Sequence, residues 1–217
     1  GARVFNSKAE LLSGDLAEDL KELLEQRGVL VFPQIRFTDD EQIAFTQTLG
    51  QQLLEGVDAD GILNISLDAS KNPRREYLKG ASFWHIDGTS HPNPIGRAIL
   101  SSKVLATWGG NTEFCNTYAA YDDLPQRRKD EIDNLRVIHT FWNSQLFHCP
   151  EPTLAQLEEW QSKGQVELPL VWKHRSGRRS LILGNTAQDV VGMDRAASAR
   201  LLHGLREWAT SEPYHYA

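Results

Sequence analysis

Residues 83–89, Phe-Trp-His-Ile-Asp-Gly-Thr, constrain this chain more than any other segment. Side chains two apart in an extended strand point to the same face, so His85 and Asp87 are predicted to lie side by side while Ile86 faces an apolar layer. An imidazole nitrogen and a carboxylate oxygen are part of the 2-His-1-carboxylate set that holds non-haem Fe(II). The segment therefore predicts part of a metal site. His-x-Asp pairs also occur by chance, and a solvated strand end is the alternative interpretation.

Two further motifs follow the first one along the chain. Residues 109–114 read Gly-Gly-Asn-Thr-Glu-Phe, and residues 118–125 read Tyr-Ala-Ala-Tyr-Asp-Asp-Leu-Pro. In order and spacing, these motifs and the Trp-His-Ile-Asp-Gly of residues 84–88 resemble the TauD/TfdA superfamily of taurine-dioxygenase-like enzymes. The amino-terminal order of helix, Gly-Val-Leu-Val-Phe and second helix resembles the same superfamily, so the likeness begins well before the metal motif.

The resemblance implies a function and a set of site residues. It implies an Fe(II)/2-oxoglutarate-dependent dioxygenase that consumes O2 and couples decarboxylation of 2-oxoglutarate to hydroxylation of a small organic substrate. It also implies that His85 and Asp87 bind the metal and that Thr112 hydrogen-bonds the distal carboxylate of 2-oxoglutarate. Asp87 favours hydroxylation, because related halogenases carry a small residue there. The alternative for Thr112 is a β-branched side chain packed inside a barrel.

The alternation of short strands with helices predicts a mainly β fold with flanking helices, a double-stranded β-helix of the jelly-roll or cupin-like type. Period-two patterns and turn signals predict strands over 29–32, 63–67, 98–104, 112–116, 135–139, 170–172 and 180–183. Capping signals and helical periodicity predict helices over 13–27, 38–49, 126–134, 152–162 and 194–210. No repeat or linker interrupts the chain, so residues 1–217 are predicted to form a single dioxygenase-like domain.

The carboxyl-terminal part of the family pattern is missing. In relatives, a second metal-binding histidine and an arginine that clamps 2-oxoglutarate follow a Gly-Asp-Leu strand and a Trp-Asp-Asn segment. This chain ends at residues 212–217 before such a strand, and His215 lacks that context. We expect the native polypeptide to continue with strands that carry both residues. The alternatives are a degenerate relative, a non-catalytic jelly-roll binding module, and a zinc hydrolase that uses the same ligands.

The composition argues against several kinds of partner. The chain has 29 acidic and 23 basic residues and a net charge of -6, without a basic stripe of the kind that binds nucleic acid. Apolar runs are far shorter than the roughly twenty residues of a membrane span. Cys115 and Cys149 are too few for a disulfide framework, and no apolar leader opens the chain, so a cytoplasmic protein is expected. Homo-oligomerisation is left open.

Residues 71–80 are predicted to form a mobile loop beside the metal strand, either an active-site lid or an ordinary solvated loop. The bases Lys71, Arg74 and Arg75 favour an anionic substrate. Taurine itself is not expected, because residues 80–83 lack the asparagine that taurine-type members carry there.

Some residues that resemble ligands are assigned to other roles. Asp58 and Asp60 precede Gly61 as in a calcium loop, but Ala69 stands where such a loop needs glutamate, so a plain turn is predicted. Four histidines have no partner pattern, and each is expected to be a surface or hydrogen-bonded structural residue: His91, His139, His148 and His174.

Overall fold

The computed structural model of the protein describes four ranges of the chain, 1–51, 61–72, 75–91 and 94–217. The Asp58–Asp60 turn and the loop base Arg74 lie outside these ranges. Of the described residues, about 39% are helical and 14% are in strands. The prediction of a mainly β chain is therefore wrong for this part of the protein, and the described ranges contain no closed barrel.

Contacts divide the chain into two compact units, and the first comprises residues 1–65 and 97–106. Its elements are β1 (Ala2–Arg3), α1 (Lys8–Ser13), α2 (Ala17–Arg27), β2 (Leu30–Val31) and α3 (Asp39–Leu49). The strands β1 and β2 pair in parallel. Thr38 and Glu41 form the predicted capping box, because Thr38 Oγ1 accepts the Glu41 N–H and the Glu41 carboxylate accepts the Thr38 N–H at 2.7 Å. The core of this unit is apolar and includes Leu11, Leu20, Phe37 and Phe45.

The second unit comprises residues 66–96 and 107–217. Its helices are α4 (Arg75–Leu78), a 3-10 turn (Lys79–Ser82), α5 (Thr117–Asp122), α6 (Gln126–Ile132), α7 (Phe141–Leu146), α8 (Leu154–Gln161) and α9 (Arg195–Thr210). Its strands are β3 (Phe114–Cys115), β4 (Arg136–Thr140), β5 (Gln165–Pro169), β6 (Val171–Lys173), β7 (Arg179–Leu181), β8 (Ala187–Val190) and β9 (His215–Tyr216). Three antiparallel strands form a sheet in the order β5-β4-β8, while β6 pairs with β7 and β3 with β9.

The core of the second unit lies between this strand layer and helix α9. Val137 of β4 and Leu181 of β7 are fully buried, and α9 adds Leu202 and Leu205 to the same cluster. Asp194 caps α9 as predicted, because its Oδ1 accepts the Ala197 N–H at 3.0 Å. The predicted 170–183 hairpin is also confirmed as β6 and β7. None of the helices in the described ranges is both long and apolar enough to cross a membrane.

Several sequence predictions fail where a segment depends on distant neighbours. Residues 63–67 and 98–104 are not strands. Leu63, Ile65 and Leu67 are instead exposed, although their alternation suggested one covered face. The predicted loop at 71–80 is helical from Arg75 onward. Tyr77 of α4 packs edge-on against the Phe141 ring, with 5.6 Å between ring centroids, which ties this segment to α7.

Candidate metal centre

His85 and Asp87 lie side by side, but a turn rather than a strand brings them together. Residues 87–90 form the turn. His85 Nε2 lies 3.4 Å from Asp87 Oδ1, and the two side chains are 34% and 57% exposed. The prediction of a strand at this point is therefore wrong, but the predicted adjacency of His85 and Asp87 is found. Partial exposure leaves both groups accessible to an ion from solvent.

The His85 ring has the orientation that a metal ligand needs. Its Nδ1 lies 2.8 Å from the Phe83 carbonyl oxygen, so Nδ1–H donates to that oxygen in the neutral ring. The lone pair is then on Nε2, the nitrogen that faces Asp87. A backbone carbonyl that fixes the tautomer in this way is a common partner of metal-binding histidines. The donor set therefore fits a divalent metal.

Each member of the pair also shifts the pKa of the other. The contact with Asp87 raises the pKa of His85, against the lowering effect of burial. The same contact lowers the pKa of Asp87. The Asp87 side chain is consequently held as a carboxylate, which is the form that binds a cation.

The backbone of this segment is held by residues 184 and 185. The Asn185 N–H donates to the Trp84 carbonyl at 2.9 Å, and Asn185 Nδ2 donates to the Gly80 carbonyl at 2.8 Å. Gly184 has φ +126°, and a Cβ on it would lie 2.9 Å from His85 Cα. The close approach therefore requires glycine at 184. Sequence reasoning missed both residues, because Gly-Asn after a strand indicates only a turn.

The glycine of the Trp-His-Ile-Asp-Gly motif has a similar explanation. Gly88 has φ +76°, and a Cβ there would lie 2.8 Å from the Ile95 backbone nitrogen. A side chain at this position would collide with backbone, so the turn that presents Asp87 depends on glycine.

His85 also lines a small cavity. Its other walls include Trp84, Cys115, Thr117, Leu183, Gly184 and Arg206. Arg206 is the only arginine among the described residues that line this cavity. It lies 5.1 Å from the centroid of the Phe147 ring, and burial lowers its pKa without removing a charge that arginine keeps at neutral pH. The cavity thus combines a metal-ligand candidate with a fixed positive charge.

The other predicted site residues lie elsewhere. Thr112 is exposed, two residues before β3, and is not among the residues that line this cavity, so its contact with 2-oxoglutarate stays a prediction. Lys71 lies 3.9 Å from Asp68, and Arg75 lies 3.5 Å from Glu76. These two loop bases therefore pair with carboxylates of their own segment.

Within the described ranges, no third His, Cys, Asp or Glu joins His85 and Asp87 in a metal-binding group. His215 is in β9, where its Nε2 lies 3.4 Å from Glu113 and its ring packs edge-on against Trp84. The third ligand therefore has no assigned residue.

The remaining histidines confirm the structural role predicted for them where their hydrogen bonds are known. His148 Nε2 lies 3.0 Å from Gln145 Oε1, and His174 Nε2 lies 2.8 Å from Ser180 Oγ. His139 is fully buried in β4, with its Nδ1 2.9 Å from Thr186 Oγ1. Burial lowers the pKa of His139 to about 4, so the ring is neutral in the folded protein near pH 7.

We expect buried His139 to make folding less favourable as the pH falls from 6.5 to about 4. The ring of the unfolded chain takes up a proton near pH 6.5, whereas the folded ring does so only near its lowered pKa of about 4. A proton that only the unfolded state binds favours unfolding. The free energy of unfolding is therefore highest above pH 6.5 and falls by about 3 kcal/mol at most as the pH is lowered to about 4. Urea unfolding at pH 7 and pH 4.5, compared with His139→Asn, measures this loss. An NMR titration in which the folded ring protonates near pH 6.5 would contradict it.

Comparisons with known proteins identify the family of this chain. A family model described as "Taurine catabolism dioxygenase TauD, TfdA family" matches residues 1–217. The (S)-phenoxypropionate/alpha-ketoglutarate-dioxygenase of Sphingobium herbicidovorans is 32% identical over 210 residues, which covers 91% of this chain and 72% of that protein. The alpha-ketoglutarate-dependent 2,4-dichlorophenoxyacetate dioxygenase of Cupriavidus pinatubonensis is also 32% identical, covering 95% of this chain and 77% of that protein.

A solved structure resembles the fold as well. The crystal structure of AAD-2 in complex with Mn(II) and N-oxalylglycine matches with a TM-score of 0.80 and 29% identity, covering 92% of this chain and 74% of that one. These matches support an Fe(II)/2-oxoglutarate-dependent dioxygenase over a binding module or a zinc hydrolase. With the family model matched from the first residue to the last, the chain belongs to the TauD/TfdA family of taurine catabolism dioxygenases.

Proposed function

We propose that this chain hydroxylates a small organic anion and that phenoxyalkanoate carboxylates are the first substrates to test. The observation that carries the proposal is the half-buried guanidinium of Arg206 in the same cavity as His85. Two relatives support it, since their names give phenoxypropionate and 2,4-dichlorophenoxyacetate as substrates, both of which are carboxylates.

His85 Nε2 and the Asp87 carboxylate are the groups that would hold Fe(II). When bound, Fe(II) with 2-oxoglutarate and O2 supplies the oxidising power for hydroxylation. The Phe83 carbonyl keeps the His85 proton on Nδ1 and so leaves Nε2 free for the metal. Thr112 provides a hydroxyl donor for the distal carboxylate of 2-oxoglutarate, a contact carried over from the family motif.

Arg206 would bind and orient the carboxylate of the organic substrate. Its Nη2 lies 3.2 Å from His203 Nδ1, and its guanidinium faces the Phe147 ring, so its position is restrained from two sides. A partly desolvated guanidinium makes stronger charge-assisted hydrogen bonds than an exposed one. Trp84 and Leu183 supply apolar walls of the same cavity, whose volume is about 30 Å³. Only the carboxylate end of the substrate would enter a cavity of this size, and the aromatic ring would lie outside it.

The proposal includes the architecture that the family implies. The three antiparallel strands β5, β4 and β8 would form part of a double-stranded β-helix, and residues 1–217 would belong to a single dioxygenase-like domain. The partner is a small molecule.

Steady-state succinate release with a panel of phenoxyalkanoates tests this function. We expect Arg206→Ala to raise the KM for the phenoxyalkanoate by about tenfold or more, since hydrogen bonds to charged groups contribute about 1.5–3 kcal/mol. The KM for 2-oxoglutarate should stay unchanged. Arg200→Ala is the matched control, because Arg200 is an exposed arginine of the same helix. A raised KM for 2-oxoglutarate instead would reassign Arg206, and no substrate-dependent succinate release with any anion would refute the proposal.

A further inference from the structure

A series of buried hydrogen bonds lies beneath the turn that carries Asp87 and directly follows His85 and Ile86. Thr89 Oγ1 donates to the Ile86 carbonyl oxygen at 3.0 Å and lies 2.8 Å from Thr186 Oγ1. Thr186 Oγ1 in turn lies 2.9 Å from His139 Nδ1. Thr89, Thr186 and His139 are 1%, 9% and 0% exposed, so water does not replace these contacts readily. These hydrogen bonds therefore connect the turn to strand β4.

The bond from Thr89 to Ile86 determines which group donates and which accepts in the other hydrogen bonds of this series. The single hydroxyl hydrogen of Thr89 is used on Ile86, so Thr186 must donate to Thr89. Thr186 must then accept from His139, which places the His139 proton on Nδ1. In the other tautomer, Thr186 would have to supply one hydrogen to two acceptors. The low pKa of His139 agrees with a neutral ring that donates from one nitrogen.

We propose that Thr186 and His139 are positioning residues that hold the metal-binding turn in place through these hydrogen bonds. The proposal rests on the proposed function, because the turn matters only if His85 and Asp87 hold the metal. Thr186 is well placed for this role, since its carbonyl accepts the Thr140 N–H of β4 at 3.0 Å. The turn is thereby connected to the central sheet of the second unit, which fixes where it presents its two ligands.

The variants that test this separate a positioning role from a general loss of stability. Thr186→Val keeps the side-chain volume but removes the hydroxyl, whereas Thr186→Ser keeps the hydroxyl. Ser198→Ala is the matched control, because Ser198 is fully buried and its Oγ accepts the Val190 N–H at 2.6 Å, away from the turn. Should Thr186→Val not fold, His139→Leu and His139→Asn form a second pair, because the asparagine amide keeps a donor near the Nδ1 position.

Two measurements on purified protein test the proposal. One is Mn(II) affinity from the electron paramagnetic resonance signal of the free ion, and the other is amide hydrogen exchange of peptides covering residues 84–91. We expect Thr186→Val to weaken Mn(II) binding by about tenfold, the lower end of the loss seen when a group bonded directly to a metal ligand is removed, because Thr186 acts on the ligands through Thr89. It should also speed exchange in the turn. Thr186→Ser should restore both, and Ser198→Ala should lower the Tm while leaving both near wild type.

The outcomes are distinct. Wild-type Mn(II) affinity and wild-type turn exchange in Thr186→Val would overturn the proposal, and so would equal effects in Ser198→Ala. If the wild-type protein bound no Mn(II), the proposed function would fail. Turn exchange would still decide the role of Thr186, because that measurement needs no metal.

Discussion

His85→Ala and Asp87→Ala are each expected to lower kcat/KM for Fe(II)-dependent succinate release by at least about 1,000-fold, since each would remove one of the two proposed metal ligands. The two groups lie 3.4 Å apart, and the contact with His85 lowers the pKa of Asp87 and so favours its carboxylate form. Neither change should unfold the protein, because both side chains are partly exposed. Steady-state kinetics with saturating 2-oxoglutarate gives the loss, and circular dichroism confirms the fold.

Asp122→Ala is the control for this pair. Asp122 is an exposed carboxylate at the end of α5, so its removal changes the net charge of the chain as Asp87→Ala does. We expect wild-type kinetics for Asp122→Ala. Turnover that survives in either ligand variant would remove the basis for the metal assignment.

Gly184→Ala is expected to destabilise the fold by about 2–5 kcal/mol, because a φ of +126° is strained for alanine and the new Cβ would lie 2.9 Å from His85 Cα. Relief of this contact requires the His85 backbone to move, so metal affinity should fall as well. The comparison is Gly192→Ala, where φ is +74° and no atom lies within 4 Å of the new Cβ. In that variant the free energy of unfolding should fall by only about 1–2 kcal/mol, which is the cost of a positive φ for alanine. Its metal affinity should stay unchanged.

Chemical denaturation of both glycine variants measures the free energies of unfolding, and Mn(II) titration measures the site. Equal losses of stability in the two variants, with unchanged metal affinity in Gly184→Ala, would mean that the approach of residue 184 to His85 is not what holds the site.

Features that depend on neighbours within a few residues were predictable from the sequence. The capping box of Thr38 and Glu41 and the Asp194 cap of α9 require only side chains three residues from the backbone groups they satisfy. The hairpin of β6 and β7 follows from a short turn between two apolar runs. The adjacency of His85 and Asp87 was also predicted, although a turn rather than a strand produces it.

Features that depend on distant parts of the chain were not predictable in the same way. Gly184, Asn185 and Thr186 contact residues about a hundred positions earlier, and nothing in their local pattern distinguishes them from an ordinary turn after a strand. The alternation in residues 63–67 predicted a strand, because periodicity describes one segment and does not identify the strand that would pair with it. The prediction of a mainly β chain was wrong for the described ranges, because local patterns overestimate how many segments find a partner strand.

Anomalous diffraction from crystals grown with Mn(II) and a 2-oxoglutarate analogue tests the central claim most directly. We expect one strong manganese peak within bonding distance of both His85 Nε2 and the Asp87 carboxylate. A manganese peak bound elsewhere, or no peak at these two side chains, would contradict the assignment of this turn as the metal centre.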